Sequence, residues 1–241
     1  MPEDSDQFVS SVWLRPPRAR RGQPTLSRDQ IVAAAVELLD AGGLDGLSMR
    51  RLGTRLDAGA TSLYWHVANK DDLLELAADH VMGEIEIPDP AEAGWRSAAG
   101  SFVRGYRSMI LRHPWITRLF GVRPMMGPHA MRMGDRMVAM LAAAGFTGTD
   151  LAYASSVLMS HAIGSATLDT AVRTATSRTG KSVEELTKEL EPYIADAAAD
   201  YPNYAEWWEK NRDMDLNRYY DDGFEFGLER ILDGLEAWLT R

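Results

Sequence analysis

The chain has 241 residues, of which 45% are hydrophobic, which is enough for a sizeable buried core. It contains no cysteine, which excludes disulfide scaffolds, thiolate catalysis and cysteine-ligated metal centres. No apolar run reaches the roughly 18 residues that span a bilayer, and no signal peptide is visible, so we predict a cytoplasmic protein that does not contact membranes.

The net charge of −9 is distributed unevenly along the chain. Residues 1–70 carry nine basic and eight acidic side chains, whereas residues 71–241 carry 17 basic and 27 acidic ones. A weakly basic N-terminal part attached to an acidic remainder is typical of a protein that contacts phosphates with one end only.

Residues 1–26 are predicted to form a flexible basic arm. This stretch lacks hydrophobic periodicity and mixes prolines with charged residues. Such an arm suits a DNA minor groove or the phosphates beside it, and the alternative is a tail that only improves solubility. Its basic side chains between residues 15 and 21 are Arg15, Arg18, Arg20 and Arg21.

Residues 27–87 are predicted to form a helical head. Ser27 and Gln30 make a capping box before a helix that the glycine pair at 42–43 ends. A short helix at 49–56, a turn of about four residues and a second helix at about 60–67 have the size of a helix-turn-helix. A further helix capped by Asn69 completes the head.

Residues 88–241 are predicted to be helical throughout, so the fold class is all-α. This larger body would hold a ligand pocket and the dimer interface. Its segments with a period of 3.6 residues lie at 92–112, 115–121, 128–144, 149–175, 183–200, 203–212 and 216–240.

The helices at 149–175 and 216–240 carry regular seams of apolar or small side chains. We predict that both seams meet their copies in a homodimer, and the alternative is that they pack inside one monomer. The seam of the first helix consists of Leu151, Ala154, Leu158, Ala162, Ser165 and Leu168. The seam of the second consists of Phe224, Leu228, Ile231, Leu235 and Trp238.

The stretch GLSMRRLGTRLDAGATSLYWHVANKDDLL, residues 46–74, resembles the DNA-binding head of the TetR (tetracycline-repressor) family of transcriptional regulators. Its part LYWHV-NK is similar to the tetracycline repressors themselves. The resemblance implies a homodimer on a palindromic operator in double-stranded DNA, and a small-molecule effector that weakens DNA binding from a pocket in the body. One departure is Asp57, where the turn of the family commonly has glycine; aspartate tolerates the left-handed conformation.

Eight residues of the head are predicted to contact DNA. Short side chains at the start of the second helix, together with an arginine before it, suit base edges. These predicted base contacts are Arg50, Ala60, Thr61 and Ser62. The resemblance implies phosphate contacts for Tyr64, His66 and Lys70, and Trp65 either contacts a phosphate or packs at the edge of the head.

Large adaptable side chains in the middle of the body are predicted to line the effector pocket, and the alternative is that they form the core. They are Phe102, Tyr106, Met109, Trp115, Phe120, Met125, Met126, Met159 and His161. Where the resemblance would place amide, hydroxyl or metal-binding groups, this chain has Phe102, Leu119, Val122 and Glu86. We therefore expect an apolar or aromatic effector and no metal or cofactor. Trp207 and Trp208 either close the pocket or cover the dimer edge.

The predicted function is a ligand-responsive repressor. The alternative is a helix-turn-helix protein that activates transcription, or serves as an interaction module, without small-molecule control. Histidines at 113, 129 and 161 with Asp135 or Asp169 show no spacing typical of a catalytic site, so we predict that the protein is not an enzyme.

Overall fold

The computed structural model describes residues 11–14, 26–198, 200–211 and 214–241, with all their side chains except those of residues 60, 61, 216 and 217. Within these ranges the structure is helical and has no strand, which confirms the all-α prediction. Two 3-10 turns lie at Val12–Leu14 and Pro114–Arg118. The helices are α1 (Arg28–Gly46), α2 (Met49–Arg55), α3 (Ala60–His66), α4 (Lys70–Met82), α5 (Pro90–Ala93), α6 (Trp95–Arg112), α7 (Pro128–Ala144), α8 (Gly148–Thr179), α9 (Val183–Ala197), α10 (Pro202–Lys210) and α11 (Leu216–Leu239).

The first helix begins at the predicted capping box. Ser27 Oγ accepts a hydrogen bond from the backbone nitrogen of Gln30 at 3.1 Å, and the Gln30 side chain accepts one from the Ser27 nitrogen at 2.8 Å. The backbone of Gly43, with φ of 61° and ψ of −161°, is not helical, so the regular helix that begins at Arg28 ends at this kink and a separate helical turn follows as far as Gly46. The prediction that the glycine pair ends this helix is therefore confirmed.

Two predicted spans of the body differ from the structure. The helix predicted at 92–112 is broken at Gly94, whose φ of +76° separates α5 from α6. The helix predicted at 115–121 is the 3-10 turn Pro114–Arg118, and the chain leaves it before Gly121, whose φ is +75°. Both corrections arise from glycines in a left-handed conformation that a regular helix does not contain.

The buried apolar side chains form one continuous core from the head into the body. Helix α4 connects the two parts because Leu73, Ala77 and Val81 are fully buried, and because it packs against α1 and against α7. The boundary between 27–87 and 88–241 stays a prediction, since packing continues across it. The predicted arm, residues 1–26, lies mostly outside the described residues.

The predicted dimer seams mostly face the inside of the monomer. Phe224 and Leu228 of α11 are 4% and 0% exposed, and Ala154, Leu158 and Ala162 of α8 are equally buried. Helix α11 packs against α8, and α6 packs against both. For these five buried residues the prediction of contact with a second copy is therefore wrong. Helix α6 covers them, and α8 and α11 cover each other.

The outer faces of the same two helices are apolar and exposed. Tyr153 and Leu168 of α8 are 66% and 63% exposed, and Val157 lies on the same helix at 44%. Phe226 and Trp238 of α11 are 67% and 47% exposed. Large apolar side chains exposed on packed helices are candidates for an interaction site. Leu168 and Trp238 belong to the predicted seams and stay available to a second copy, whereas Tyr153, Val157 and Phe226 lie outside those seams.

Candidate nucleic-acid interface and effector core

Helices α2 and α3 form the helix-turn-helix predicted from the sequence. Ser48 caps α2 by accepting a hydrogen bond from the backbone nitrogen of Arg51 at 3.2 Å. Leu52 and Leu63 are fully buried where the two helices cross. Gly53 lets the turn fold back onto α2, because a Cβ at this position would lie 2.9 Å from the carbonyl oxygen of Ala58, which lies in that turn.

The turn between α2 and α3 depends on Asp57. Its φ is +48°, and among the described residues no other non-glycine residue has a positive φ. Aspartate reaches this left-handed region at smaller cost than most residues. The expectation that aspartate takes the place of the usual glycine in this turn is confirmed.

The outer face of the head presents several of the predicted DNA contacts. Trp65 is 67% exposed and Tyr64 47% exposed. Arg50 is exposed on the first turn of α2, and Ser62 and His66 are half-buried on α3. Both predicted roles of Trp65, a phosphate contact and packing at the edge of the head, stay predictions.

The remaining predicted DNA contacts lie where α3 and α4 begin. The side chains of Ala60 and Thr61 lie outside the described part of the chain, although both residues belong to α3. Lys70 Nζ donates a 2.7 Å hydrogen bond to the backbone oxygen of Leu44 near the end of α1. Lys70 therefore joins α4 to α1, a contact that the sequence did not indicate, and its predicted phosphate contact stays a prediction.

A first joint between head and body lies beyond the end of α6. Asp40 of α1 accepts a hydrogen bond from Trp115 Nε1 at 2.7 Å, and its Oδ1 lies 2.7 Å from His113 Nδ1. His113 Nε2 lies 3.1 Å from a carboxylate oxygen of Glu84. Burial raises the pKa of Glu84, but hydrogen bonds and charges from Arg112 and His113 outweigh burial and hold that pKa below its ordinary value.

A second joint connects α4 with the N-terminus of α7. Asp79 is 6% exposed, and its Oδ1 accepts hydrogen bonds from the backbone nitrogens of His129 at 3.0 Å and Ala130 at 2.9 Å. The first amides of a helix have no partner within it, and the helix dipole favours a carboxylate there. Asp79 was not among the residues predicted from the sequence, although an acid among the apolar positions of a helix is a signal that could have indicated it.

Four of the predicted effector residues come together at the centre of the body. Phe102, Tyr106 and Met109 are buried on α6, and the first two rings meet edge-on with centroids 5.8 Å apart. Phe120 packs 6.4 Å from the Tyr106 ring. Burial raises the pKa of Tyr106, which keeps its hydroxyl neutral. These side chains form a packed apolar core.

Three other predicted effector residues lie nearer the head. Trp115 is 3% exposed and binds Asp40, so it belongs to the first joint. Met125 is half-buried and Met126 is 53% exposed in the segment before α7. The structure therefore places Trp115 in the first joint, and Met125 and Met126 in the loop before α7.

The last two predicted effector residues lie on α8. Met159 is half-buried, and His161 Nε2 lies 2.9 Å from the Phe224 carbonyl oxygen while its ring stacks on that of Phe224 at 5.1 Å. Arg107, which was not predicted from the sequence, also contacts the Phe224 ring: its Cζ lies 4.7 Å from the ring centroid. Its Nη2 donates a 2.8 Å hydrogen bond to Asp169. His161 thus joins α8 to α11.

An apolar concavity of about 320 Å³ lies between α9 and α10. Trp207 is 44% exposed, and its ring centroid lies 5.8 Å from that of Tyr204, which lines the concavity. Trp208 packs against the same tyrosine at 6.3 Å. The two predicted roles of these tryptophans, pocket closure and dimer contact, both stay predictions.

The described residues offer neither a membrane-spanning helix nor a cluster of metal ligands. None of the helices there has the length and apolar character needed to cross a membrane. Among the same residues, no three histidines or carboxylates lie close enough together to hold a metal ion.

Comparison with known proteins extends over both parts of the chain. The family profile described as "Bacterial regulatory proteins, tetR family" matches residues 31–77. The profile described as "Tetracyclin repressor-like, C-terminal domain" matches residues 87–239. An HTH-type transcriptional regulator of Saccharopolyspora erythraea is 40% identical over 201 residues, 83% of each chain.

Two further relatives are similar along nearly their whole length. The HTH-type transcriptional repressor DrrR1 of Streptomyces coeruleorubidus is 36% identical over 99% of this chain and 88% of its own. The crystal structure of ActR from Streptomyces coelicolor in complex with actinorhodin has a TM-score of 0.72 and 33% identity, over 90% of this chain and 99% of ActR.

The relatives are transcriptional regulators, and their similarity spans the helix-turn-helix head and the helical body alike. The protein is accordingly a DNA-binding transcriptional regulator and not an enzyme, as the sequence predicted. The chain belongs to the TetR family of bacterial transcriptional regulators.

Proposed function

We propose that the protein is a cytoplasmic homodimeric repressor that releases a palindromic operator when a small apolar or aromatic molecule binds its body. The observation that carries this proposal is the pair of joints at Asp40 and Asp79, which connect the head to the body through short hydrogen bonds. A movement of α7 would shift α4, and a movement of the segment after α6 would shift α1. These two helices pack beside the helix-turn-helix and would move it.

The names and titles of relatives support the same function. DrrR1 is described as a transcriptional repressor, and ActR has been crystallised with actinorhodin and with (S)-DNPA. Regulators of the TetR family bind DNA, dimerise and bind small-molecule effectors. For the present chain we infer an effector of comparable apolar character, because its central core consists of Phe102, Tyr106, Met109 and Phe120.

DNA recognition is assigned to the outer face of the head. Exposed Arg50 and the residues that begin α3 would read base edges, while donors that flank them would hold phosphates. The basic arm would add contacts in the minor groove. The proposed set is Arg50, Ala60, Thr61, Ser62, Tyr64, Trp65, His66 and Lys70.

Dimerisation is assigned to the exposed faces of α8 and α11. Tyr153, Leu168 and Phe226 would be covered by the same residues of a second copy around a two-fold axis. A symmetric dimer places two recognition helices on successive major grooves, which lie roughly 34–36 Å apart, and an effector weakens binding by changing this separation.

The experiment that tests the proposal is selection of genomic DNA fragments by the purified protein at near-physiological salt. We expect recovery of a palindrome, and protection of both half-sites in a footprint. Addition of actinorhodin, used as a probe, should then release the DNA. Recovery of random fragments would contradict operator recognition, whereas recovery of a palindrome that actinorhodin and a panel of other aromatic compounds leave bound would contradict only effector control.

A further inference from the structure

The described N-terminal segment, residues 11–14, lies against α4. Ser11 Oγ donates a 2.6 Å hydrogen bond to Glu75 Oε2, and the backbone nitrogen of Val12 donates to the same oxygen at 3.1 Å. Ser11 is 2% exposed and Glu75 3% exposed. A buried carboxylate is costly unless hydrogen bonds compensate for its lost hydration, and here two of them come from this segment.

The same segment reaches the start of α7 through Trp13. Gly127 is the N-cap of α7, and a Cβ placed there would lie 2.5 Å from Trp13 Cζ2 and 2.2 Å from the Asp79 carboxyl carbon. Trp13 and Asp79 therefore both pack closely against Gly127, and neither leaves room for a side chain there. The backbone nitrogen of Trp13 also donates to Ser11 Oγ at 3.3 Å, so the backbone that carries the indole is held by the hydroxyl that bonds to Glu75.

Glu75 and Asp79 lie one helical turn apart on α4 and hold two different elements. Glu75 holds the N-terminal segment, and Asp79 holds the first amides of α7. Since residues four apart in a helix share a face, one side of α4 carries both contacts. The N-terminal segment thus completes the joint through which α7 contacts the head.

We propose that residues 11–14 form a clamp that positions α7 for effector-dependent operator release. Trp13 and Glu75 are positioning residues: they keep the N-terminus of α7 seated on Asp79, so that a shift of α7 moves α4 with it. Without the clamp, α7 separates from Asp79 and its movement no longer reaches the head. The inference rests on the proposed function, because it assumes that an effector acts through the body.

The first test needs no effector. In the full-length protein, hydrogen exchange is compared for wild type, Trp13→Ala and, as a matched control, Leu14→Ala, whose side chain is 63% exposed in the same 3-10 turn. We expect the amides of His129 and Ala130 to exchange about fivefold faster in Trp13→Ala alone, as loss of one hydrogen bond would give. Equal exchange rates at these amides in all three proteins would overturn the clamp.

The second test measures coupling rather than stability. The ratio of operator Kd with and without actinorhodin, the probe, is determined for wild type, Trp13→Ala, Glu75→Gln and Leu14→Ala. We expect the ratio to fall toward one in Trp13→Ala and Glu75→Gln, while operator Kd without probe changes less than about threefold. A purely structural role would lower Tm and leave this ratio unchanged, and that result would overturn the proposal.

The two tests separate the clamp from the function on which it rests. If wild type fails to respond to actinorhodin or to other aromatic compounds, effector control by such molecules is refuted and the exchange measurement alone decides whether the clamp holds α7. If wild type responds and Trp13→Ala responds equally, the clamp is refuted and the proposed function stands.

Discussion

Trp115 donates a 2.7 Å hydrogen bond from its indole nitrogen to Asp40, which places a carboxylate of the head on a buried ring of the body. His113 Nδ1 lies 2.7 Å from the same oxygen. Trp115 is 3% exposed and His113 7% exposed, so the carboxylate of Asp40 replaces water as the hydrogen-bond partner of their ring nitrogens. The first helix of the head, and not only α4, is therefore joined to the body.

Replacing Asp40 tests this joint. In Asp40→Ala the buried nitrogens of Trp115 and His113 lose their acceptor, and we expect the free energy of unfolding to fall by about 1–3 kcal/mol. Urea denaturation measures the change. Asp45→Ala, an exposed position on the same helix, is the control and should lie within about 0.5 kcal/mol of wild type. Equal losses in the two variants would contradict the assignment.

Base reading by Arg50 is tested against a second arginine of α2. We expect Arg50→Ala to weaken operator binding by about 1–3 kcal/mol and to leave binding of random DNA nearly unchanged. Arg55, which pairs with Glu37 in the head, is the matched control, and Arg55→Ala should change both affinities little. Electrophoretic mobility shifts on both DNAs measure the difference. Equal losses on operator and random DNA for Arg50→Ala would show a phosphate contact instead.

The close packing of the turn after α2 makes Gly53 sensitive to substitution. A Cβ in Gly53→Ala would lie 2.9 Å from the Ala58 carbonyl oxygen, so the turn must shift, at a cost of about 1–3 kcal/mol. Gly134, inside α7, has nothing within 4 Å of such a Cβ. Gly134→Ala should therefore stabilise the protein by up to about 1 kcal/mol. Thermal unfolding measures both, and a Tm for Gly53→Ala at or above wild type would refute the close approach.

The dimer interface is tested on the outer face of α8. Leu168→Glu places a charge on a surface that we propose is covered by a second copy, so sedimentation equilibrium should show at least about a tenfold weaker dimer. Val138→Glu is the control, because Val138 is exposed to a similar degree on α7. A dimer that persists in Leu168→Glu, or that is lost equally in Val138→Glu, would place the interface elsewhere.

Acid sensitivity is expected from Glu84. Its pKa in the folded state is held below the ordinary value of 4.5, so the native state binds the proton more weakly than the unfolded state. The stabilisation is complete above 4.5 and is lost as the pH falls through the lower pKa of the folded state.

Substitution of Glu84 measures this contribution. In Glu84→Gln the free energy of unfolding should fall less steeply than in wild type below about pH 5. Urea denaturation at several pH values gives the slopes, and Glu86→Gln, at an exposed position two residues later, is the control. Identical slopes for wild type and Glu84→Gln would argue against the pairing with Arg112 and His113.

The DNA-binding head could be predicted nearly in full because its signals are local. The Ser27 capping box, the Asn69 cap and the left-handed turn at Asp57 each involve residues within a few positions of one another. Hydrogen bonds over such short spans follow from backbone geometry and side-chain length. The order of these signals along the chain was sufficient to indicate a helix-turn-helix.

The body shows what periodicity cannot specify. The spacing of Phe224 and Leu228 correctly indicated a buried face, but a helical period carries no information about the surface that covers it. In the same way, the aromatic residues of the predicted pocket share a composition, yet Phe102 lies in the core, Trp115 binds the head and His161 stacks on Phe224.

By itself, the sequence determined the all-helical class, the helix-turn-helix and the family of this protein, because the patterns that carry them lie among residues close together in the chain. Only the tertiary structure decided which faces are left for a second copy and how the body is joined to the head. The joints bring Asp79 to Ala130, 51 positions apart, and Ser11 to Glu75, 64 positions apart. Such contacts depend on how whole helices pack, which no local pattern encodes.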